Sequence, residues 1–207
     1  MIKFIYFDVG GVLVRDFSKS NKWQELVNEI GISKKKKEDF LLFWKSYEIK
    51  ISTGLDVDRL IPLIKKEFKS QIPKNYTLLK DGFVSRFERN ETIWPLVDEL
   101  KKTFKVGLLT NQYPRMYDLL IQERLLSDIS WDVVIDSVVV KLRKPQPEIY
   151  KLAEKEAGYS GDEIFFIDNL QEHLEGAKSF GWQTFFYDSS NFHKSTQALA
   201  DRLNIEI

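Results

Sequence analysis

The stretch FIYFDVGGVLV, Phe4–Val14, joins an apolar run to one acidic residue and two glycines. The run from Lys3 to Val9 is short and rich in aromatic and β-branched residues, which predicts a buried strand of a parallel sheet. In an open parallel sheet, binding sites form beyond the carboxyl ends of the strands. We therefore expect Asp8 at such a site, next to glycines that let a ligand approach the backbone.

The composition limits the classes of protein to which the chain can belong. The chain has 207 residues, of which 43% are hydrophobic and 30% charged, and this predicts a soluble globular protein with a buried core. Lys plus Arg and Asp plus Glu both number 31, so the net charge of zero argues against a general nucleic-acid or membrane binder. Cysteine is absent, which excludes disulfides and thiolate metal sites.

The chain also lacks the long apolar segments that direct proteins to membranes. Asp8 interrupts the short apolar run near the N-terminus, so this run does not have the form of a signal peptide. No segment approaches the roughly 18 uninterrupted apolar residues of a transmembrane helix. The expected location is therefore the cytoplasm.

The hydrophobic periodicity divides the chain into two parts. Between residues 21 and 89, apolar side chains recur at helical spacing. Further along, strand-like runs such as KVGLLT (105–110) and EIFFID (163–168) alternate with helical segments, which predicts an α/β fold whose parallel sheet is covered on both faces. The expected domains are a core, residues 1–15 and 90–207, and an inserted helical domain, residues 16–89.

Polar side chains follow three predicted strands, and a lysine stands in the loop before a predicted helix. Each is a common cap or turn residue when taken alone, but together they would share one rim of the sheet. A carboxylate can attack phosphorus, Mg²⁺ prefers carboxylate and carbonyl oxygens, and a lysine and a hydroxyl can balance phosphoryl charge. The candidates are Asp8, Thr110 with Asn111, Lys144, and Asp168 with Asn169.

Four motifs in order resemble the haloacid dehalogenase superfamily of hydrolases, in its subfamily with a helical cap. The resemblance implies a Rossmann-like core and a cap that selects a small-molecule substrate. The motifs are FDVGGVLV (7–14), LLTNQ (108–112), RKPQPEIY (143–150) and FIDNLQEHLEGA (166–177).

The same resemblance implies a role for each candidate residue. Asp8 would be the nucleophile that forms an aspartyl-phosphate. The implied phosphate-binding residues are Thr110, Asn111 and Lys144, and the implied Mg²⁺ ligands are Asp8, the backbone carbonyl of Gly10, Asp168 and Asn169.

Two positions depart from the pattern of the family. Typical phosphatases of the superfamily carry an Asp acid/base where this chain has Gly10, and such catalysis is typically worth ~10²–10⁴-fold in rate. Asn169 replaces the second member of a common acidic pair, so the metal site has one negative charge fewer. Good leaving groups need little acid assistance, so Gly10 favours an anomeric sugar phosphate or an acyl phosphate over a simple alkyl phosphate as the substrate.

Three functions are compatible with these residues. The leading hypothesis is a Mg²⁺-dependent phosphomonoester hydrolase of a small phosphorylated metabolite. A metal-independent 2-haloacid dehalogenase also uses an Asp nucleophile, although such relatives tend to carry serines at the positions of Asp168 and Asn169. A catalytically impaired binding or regulatory protein on the same fold is the third.

Other residues are assigned from pattern alone. His173 falls in a predicted helix and is expected at its surface. The aromatic residues of the helical block, Trp23 and Trp44 among them, are expected to form core rather than a substrate platform. Arg15 and Asp16 follow the first motif and are expected to contact substrate or to form the hinge into the cap.

Overall fold

The computed structural model describes residues 1–127 and 129–206. The described strands are β1 (Phe4–Phe7), β2 (Val14–Arg15), β3 (Glu88–Arg89), β4 (Lys105–Thr110), β5 (Val133–Asp136), β6 (Ile164–Asp168) and β7 (Gln183–Phe186). Five of them form one parallel sheet in the order β5-β4-β1-β6-β7, and β2 pairs with β3 in an antiparallel ribbon. The predicted α/β fold with a parallel sheet is therefore confirmed.

Helices cover the sheet and form the block between the two strands of the ribbon. In the described ranges they are α1 (Lys22–Glu29), α2 (Lys37–Ser52), α3 (Ile61–Phe68), α4 (Trp94–Leu100), α5 (Met116–Gln122), α6 (Ser137–Val140), α7 (Pro147–Ala157), α8 (Gln171–Lys178) and α9 (Phe192–Leu203). Within those ranges, none is both long and apolar enough to cross a lipid bilayer.

Strand β1 lies at the centre of the sheet, and its register places the site. Phe7 is level with Leu108 of β4 on one side and with Ile167 of β6 on the other. The residues that follow, Asp8 and Asp168, therefore emerge side by side at the carboxyl edge.

The side chains of β1 alternate between two apolar layers. Ile5 and Phe7 join the larger core, whereas Phe4 and Tyr6 pack in the second layer with residues such as Tyr150 of α7. All four β1 side chains are fully buried, as predicted for a strand covered on both faces. This burial on both sides fixes the strand that carries Asp8.

The helical block departs from its sequence pattern in its last segment. The segment that includes Gly82, which reads as a fourth helix, is a π-helical turn from Leu78 to Phe83 followed by a 3₁₀ turn from Val84 to Arg86. Glycine weakens an α-helix, and a side chain at Gly82 would meet Leu26 of α1 at 3.2 Å. Close packing against α1 therefore replaces regular helix there.

Candidate active site

Asp8 lies at the end of β1 and is 7% exposed. Its Oδ1 accepts a hydrogen bond from the Val9 amide at 2.8 Å and lies 3.1 Å from the ammonium of Lys144. Burial, with a smaller contribution from the charge of Asp168, raises the pKa of Asp8 to about 6 against the opposing effect of Lys144. With Oδ1 held on two sides, Oδ2 is the oxygen that can react.

Lys144 is fully buried between two carboxylates. Its Nζ donates to Asp168 Oδ2 at 2.6 Å and lies 3.1 Å from Asp8 Oδ1. The side chain of Asn111 positions the lysine, since it donates to the backbone carbonyl of Lys144 at 3.0 Å and accepts from its amide at 2.9 Å. The described contacts of Asn111 thus place the lysine loop, and its predicted phosphate contact stays a prediction.

Thr110 ends β4 and is almost fully buried. Its Oγ1 accepts a hydrogen bond from the Gln112 side chain at 3.2 Å, so the hydroxyl proton can be donated to an anion. The backbone amide of Gln112 is held by Ser137 Oγ at 3.0 Å. The loop after β4 is therefore fixed by hydrogen bonds at the carboxyl end of that strand.

Asp168 ends β6, is fully buried and has both oxygens engaged. Oδ1 accepts from the Leu170 amide at 2.8 Å, while Oδ2 is shared by Lys144 and by His173 Nδ1 at 3.0 Å. Burial opposes its ionisation, but the charge of Lys144 and the His173 hydrogen bond outweigh burial and hold the pKa of Asp168 below its ordinary value.

His173 is 3% exposed, so its expected place at the helix surface is wrong. It lies in the first turn of α8, which begins three residues after Asp168 and turns the ring back toward the strand end. An ionised carboxylate accepts hydrogen bonds but cannot donate them, so the proton in the His173–Asp168 contact belongs to Nδ1. The spacing of five residues between Asp168 and His173 was the signal in the sequence for this contact.

The hydrogen-bond partners of the Asn169 side chain show which way its amide group is oriented. Its nitrogen donates to Ser18 Oγ at 2.9 Å and to Ser189 Oγ at 3.1 Å. Ser189 uses its own proton on the carbonyl of Gly11 at 2.7 Å, so it must accept from Asn169. The amide nitrogen therefore faces the serines, and Oδ1 is the atom left for a cation.

Gly11 is required by this arrangement. Its φ is +73°, and a Cβ there would lie 2.0 Å from the Asn169 nitrogen. Gly10, in contrast, faces a carboxylate: a Cβ at Gly10 would lie 2.7 Å from Oδ2 of Asp16. Burial raises the pKa of Asp16 despite the hydrogen bond from the Ser18 amide.

These donors fit a divalent cation of the magnesium type. Ligand atoms of Asp8, Asp168 and His173 all lie within 4.8 Å of one another, and two carboxylates with one ammonium leave a net negative charge. The carboxylates of Asp8 and Asp168, the carbonyl of Gly10 and the amide oxygen of Asn169 are the ligands that these residues would offer. All are oxygens, as Mg²⁺ prefers.

Two adjoining cavities open beside Gly10. The polar one is about 220 Å³ and is lined by Asp8, Asn169, His173 and Arg143. Arg143 stands in the third motif, but no pattern in the sequence predicts a role for it. Its Nη2 donates to Glu48 at 3.1 Å. Its Nε is buried without a hydrogen-bond partner in the described ranges, which suits an anion in this cavity.

The second cavity is larger, about 500 Å³, and its wall is mainly apolar. The aromatic residues expected to form core do pack together, as with Trp23 on Phe40 at 6.0 Å, but some of them also face this space. The apolar wall is formed by residues of the helical block and of the core, including Phe17, Trp23, Trp44, Phe83, Phe87 and Met116.

Two curated proteins are similar to parts of the chain. A phosphatase from Mycobacterium tuberculosis is 29% identical over 102 residues, which cover 46% of this chain and 45% of the phosphatase. An (S)-2-haloacid dehalogenase from Xanthobacter autotrophicus is 33% identical over 78 residues, covering 38% of this chain and 30% of the dehalogenase. The matched stretch thus spans less than half of either relative.

The fold is also that of a solved enzyme. A HAD family enzyme from Bacteroides thetaiotaomicron, solved in complex with magnesium and inorganic phosphate, superposes with a TM-score of 0.73 at 19% identity, covering 92% of this chain and 96% of the enzyme. The sequence model of the haloacid dehalogenase-like hydrolases matches residues 2–181. The resemblance in the four motifs is thereby confirmed, and the chain belongs to the haloacid dehalogenase-like hydrolases.

Proposed function

We propose that the protein is a Mg²⁺-dependent phosphomonoester hydrolase that acts on a small phosphorylated metabolite through an aspartyl-phosphate on Asp8. The observation that carries the proposal is the buried cluster in which Lys144 lies between Asp8 and Asp168. It supplies a nucleophilic oxygen, a fixed positive charge and a net negative charge for a cation beside the polar cavity, which Asp8 lines.

Each residue has a defined part in this reaction. Oδ2 of Asp8 attacks phosphorus, while the Val9 amide and Lys144 hold Oδ1 and keep the carboxylate in place. Lys144 and the hydroxyl of Thr110 balance the charge of the phosphoryl oxygens. Asp8, Gly10, Asp168 and Asn169 would hold Mg²⁺, which would supply further positive charge to the phosphoryl group.

We also propose that residues 16–89 act as a cap over a core formed by residues 1–15 and 90–207. The ribbon of β2 and β3 brings the two connections between these parts together, with Val14 paired to Arg89. The apolar cavity is lined from both sides, so closure of the cap would exclude water from the ester.

The apolar wall of the larger cavity favours one class of substrate over another. A sugar placed there would bury hydroxyl groups against Phe, Trp and Leu side chains, and unpaired buried hydroxyls are costly. A phosphate ester with an apolar carbon group would instead lose water from apolar surface, which is favourable. Among small phosphorylated metabolites, the cavity therefore favours esters with an apolar group over the sugar phosphates suggested by Gly10.

The test is hydrolysis of p-nitrophenyl phosphate and a panel of metabolite phosphates, with Mg²⁺ or with EDTA, by the wild type and Asp8→Asn. We expect turnover that requires Mg²⁺ and falls at least ~10³-fold in the variant, because the nucleophile is lost. Thermal unfolding of both proteins with Mg²⁺ gives a readout independent of activity, and the wild type should show the larger upward shift. Equal rates for the two proteins would refute the proposal and leave dehalogenation and the binding or regulatory function as the remaining candidates.

Dehalogenation is the second candidate, favoured by the apolar cavity and by the similarity to the Xanthobacter dehalogenase. In that reaction Oδ2 of Asp8 would attack carbon and release halide, with no need for a cation. Chloride release from 2-chloropropionate in EDTA tests it directly. Release that depends on Asp8, without phosphatase activity, would replace the first proposal.

A further inference from the structure

Gly10 has no side chain, but the space beside it holds a carboxylate. A Cβ built on Gly10 would lie 2.7 Å from Oδ2 and 3.4 Å from Cγ of Asp16. Asp16 thus places an acidic oxygen where a short side chain at position 10 would begin. The sequence separates the two residues by six positions, and the loop that passes through Val14 brings them together.

The position of Asp16 between the two cavities gives this oxygen a chemical meaning. Asp16 lines the polar cavity together with Asp8 and also lines the apolar cavity. An ester whose phosphoryl group lies at Asp8 and whose carbon group fills the apolar cavity has its bridging oxygen at the boundary between them. That oxygen needs a proton when its bond to phosphorus breaks.

Hydrogen bonds hold Asp16 in this place. Its Oδ1 accepts from the Ser18 amide at 2.8 Å, and Ser18 Oγ accepts from Asn169 in the site at 2.9 Å. These contacts fix the carboxylate through Oδ1 and direct Oδ2 toward Gly10. Glu48 also lines both cavities, but its carboxylate is paired with Arg143 at 3.1 Å.

We propose that Asp16 is the catalytic residue that moves the proton to and from the leaving-group side of the ester, an inference that rests on the proposed phosphatase function. Oδ2 of Asp8 forms a bond to phosphorus, the bond from phosphorus to the ester oxygen breaks, and that oxygen keeps the electron pair. It takes the proton of the Asp16 carboxyl and leaves as an alcohol.

The second half of the reaction restores both residues. A water molecule in the place of the alcohol attacks the phosphorus of the aspartyl-phosphate, and Asp16 accepts its proton. The bond between phosphorus and Asp8 breaks with its electron pair returning to the carboxylate, so inorganic phosphate is released. Asp16 is protonated again, and no further reactant is needed.

The experiment compares leaving groups in single turnovers with Mg²⁺ and excess enzyme. Benzyl phosphate has an apolar but poor leaving group, whereas 2,4-dinitrophenyl phosphate has a good one that needs little protonation. For Asp16→Asn we expect release of benzyl alcohol to fall ~10²–10⁴-fold, with release of dinitrophenol changed less than about tenfold. A merely structural role would slow both substrates equally.

Further variants test whether the loss comes from the missing carboxylate. Asp16→Ser carries the same comparison if Asp16→Asn does not fold, and the double variant Gly10→Asp/Asp16→Ser returns a carboxylate to the same space. The double variant should recover at least about tenfold on benzyl phosphate relative to Asp16→Ser. Asp188→Asn is the matched control, because exposed Asp188 accepts from the Ser190 amide at 2.9 Å in the same kind of turn.

The outcomes separate the two proposals. Equal losses on both esters, or no loss on either, would overturn the role of Asp16 while an inactive Asp8→Asn variant leaves the phosphatase function standing. Failure of the wild type to exceed Asp8→Asn on either ester would overturn the phosphatase function, and the role of Asp16 with it. Loss confined to benzyl phosphate, with rescue by the double variant, supports the proposal.

Discussion

At the scale of single residues, the charge of Asp8 is held in the site at a cost to the fold. Its pKa of about 6 lies above the ordinary value of 3.8, chiefly because the carboxylate is buried. The folded protein therefore binds a proton here more tightly than the unfolded chain does. The contribution of Asp8 to the free energy of unfolding therefore falls as pH rises from about 3.8 through about 6, and it is constant at higher pH.

The raised pKa predicts that a neutral side chain in place of Asp8 stabilises the protein. In EDTA at pH 7.5, Asp8→Asn should raise the free energy of unfolding by roughly 1–3 kcal/mol, since it keeps the shape of the side chain and removes a charge whose burial outweighs its attraction to Lys144. The gain should shrink toward pH 4.5, where the wild-type carboxyl is protonated. Chemical denaturation of both proteins across this range measures it, and a difference that does not change with pH would contradict the prediction.

Residues of the site differ in how far the sequence revealed them. Asp8 and Asp168 end apolar runs, so strand prediction alone brings them to one edge of the sheet. Asp16 and His173 end no strand; their places depend on a loop that returns to Gly10 and on the turn into α8. Such contacts follow from packing in three dimensions, for which a single sequence has no periodic signal.

At the scale of elements, regular strands and helices were predictable and the short pieces were not. β4 is a run of six residues flanked by helices, whereas β2 and β3 have two residues each. Two residues are too few to show the alternation of a strand, and the pairing of Val14 with Arg89 joins positions 75 residues apart. The ribbon that frames the helical block is therefore a product of tertiary structure.

Helix α8 holds part of the site in place through its contact with α7. Tyr150 of α7 is fully buried, and its hydroxyl donates to the backbone carbonyl of His173 at 2.7 Å. Gly176 makes room for that ring, because a Cβ there would lie 2.6 Å from the hydroxyl and 2.8 Å from ring carbons. The glycine of the fourth motif is explained by this packing.

We predict that Gly176→Ala destabilises the protein by about 1–3 kcal/mol, although alanine is the better helix former by about 1 kcal/mol. The clash with a buried ring should outweigh helix propensity, since the ring has no free space into which to move. Thermal unfolding measures the effect, with exposed Glu175→Ala on the same helix as the control within about 0.5 kcal/mol. A stabilised Gly176→Ala protein would show that α8 can shift away from Tyr150.

At the scale of the whole molecule, the candidate catalytic residues lie at the sheet, whereas much of the wall of the apolar cavity comes from the helical block. Asp8 directly follows β1, and Thr110 and Asp168 end β4 and β6, while residues such as Trp23 and Trp44 of the helical block line the apolar cavity. Bringing the two parts together places a polar cavity of about 220 Å³ against an apolar one of about 500 Å³. An ester that spans both would use the phosphoryl group for reaction and the carbon group for recognition.

This division predicts how rate should depend on substrate size. Along a series of n-alkyl phosphates, kcat/KM should rise about fourfold per methylene, because each buried CH₂ contributes about 0.8 kcal/mol, until the cavity is filled. Leu41→Asp should flatten the series by placing a charge at the wall of the apolar cavity. Its neighbour Leu42, 68% exposed and outside the lining of that cavity, gives the matched control Leu42→Asp, which should keep the slope. A higher kcat/KM for glucose 1-phosphate than for alkyl phosphates of similar size would contradict this prediction. The cavity would then recognise hydroxyl groups, and the quality of the leaving group would determine the substrate.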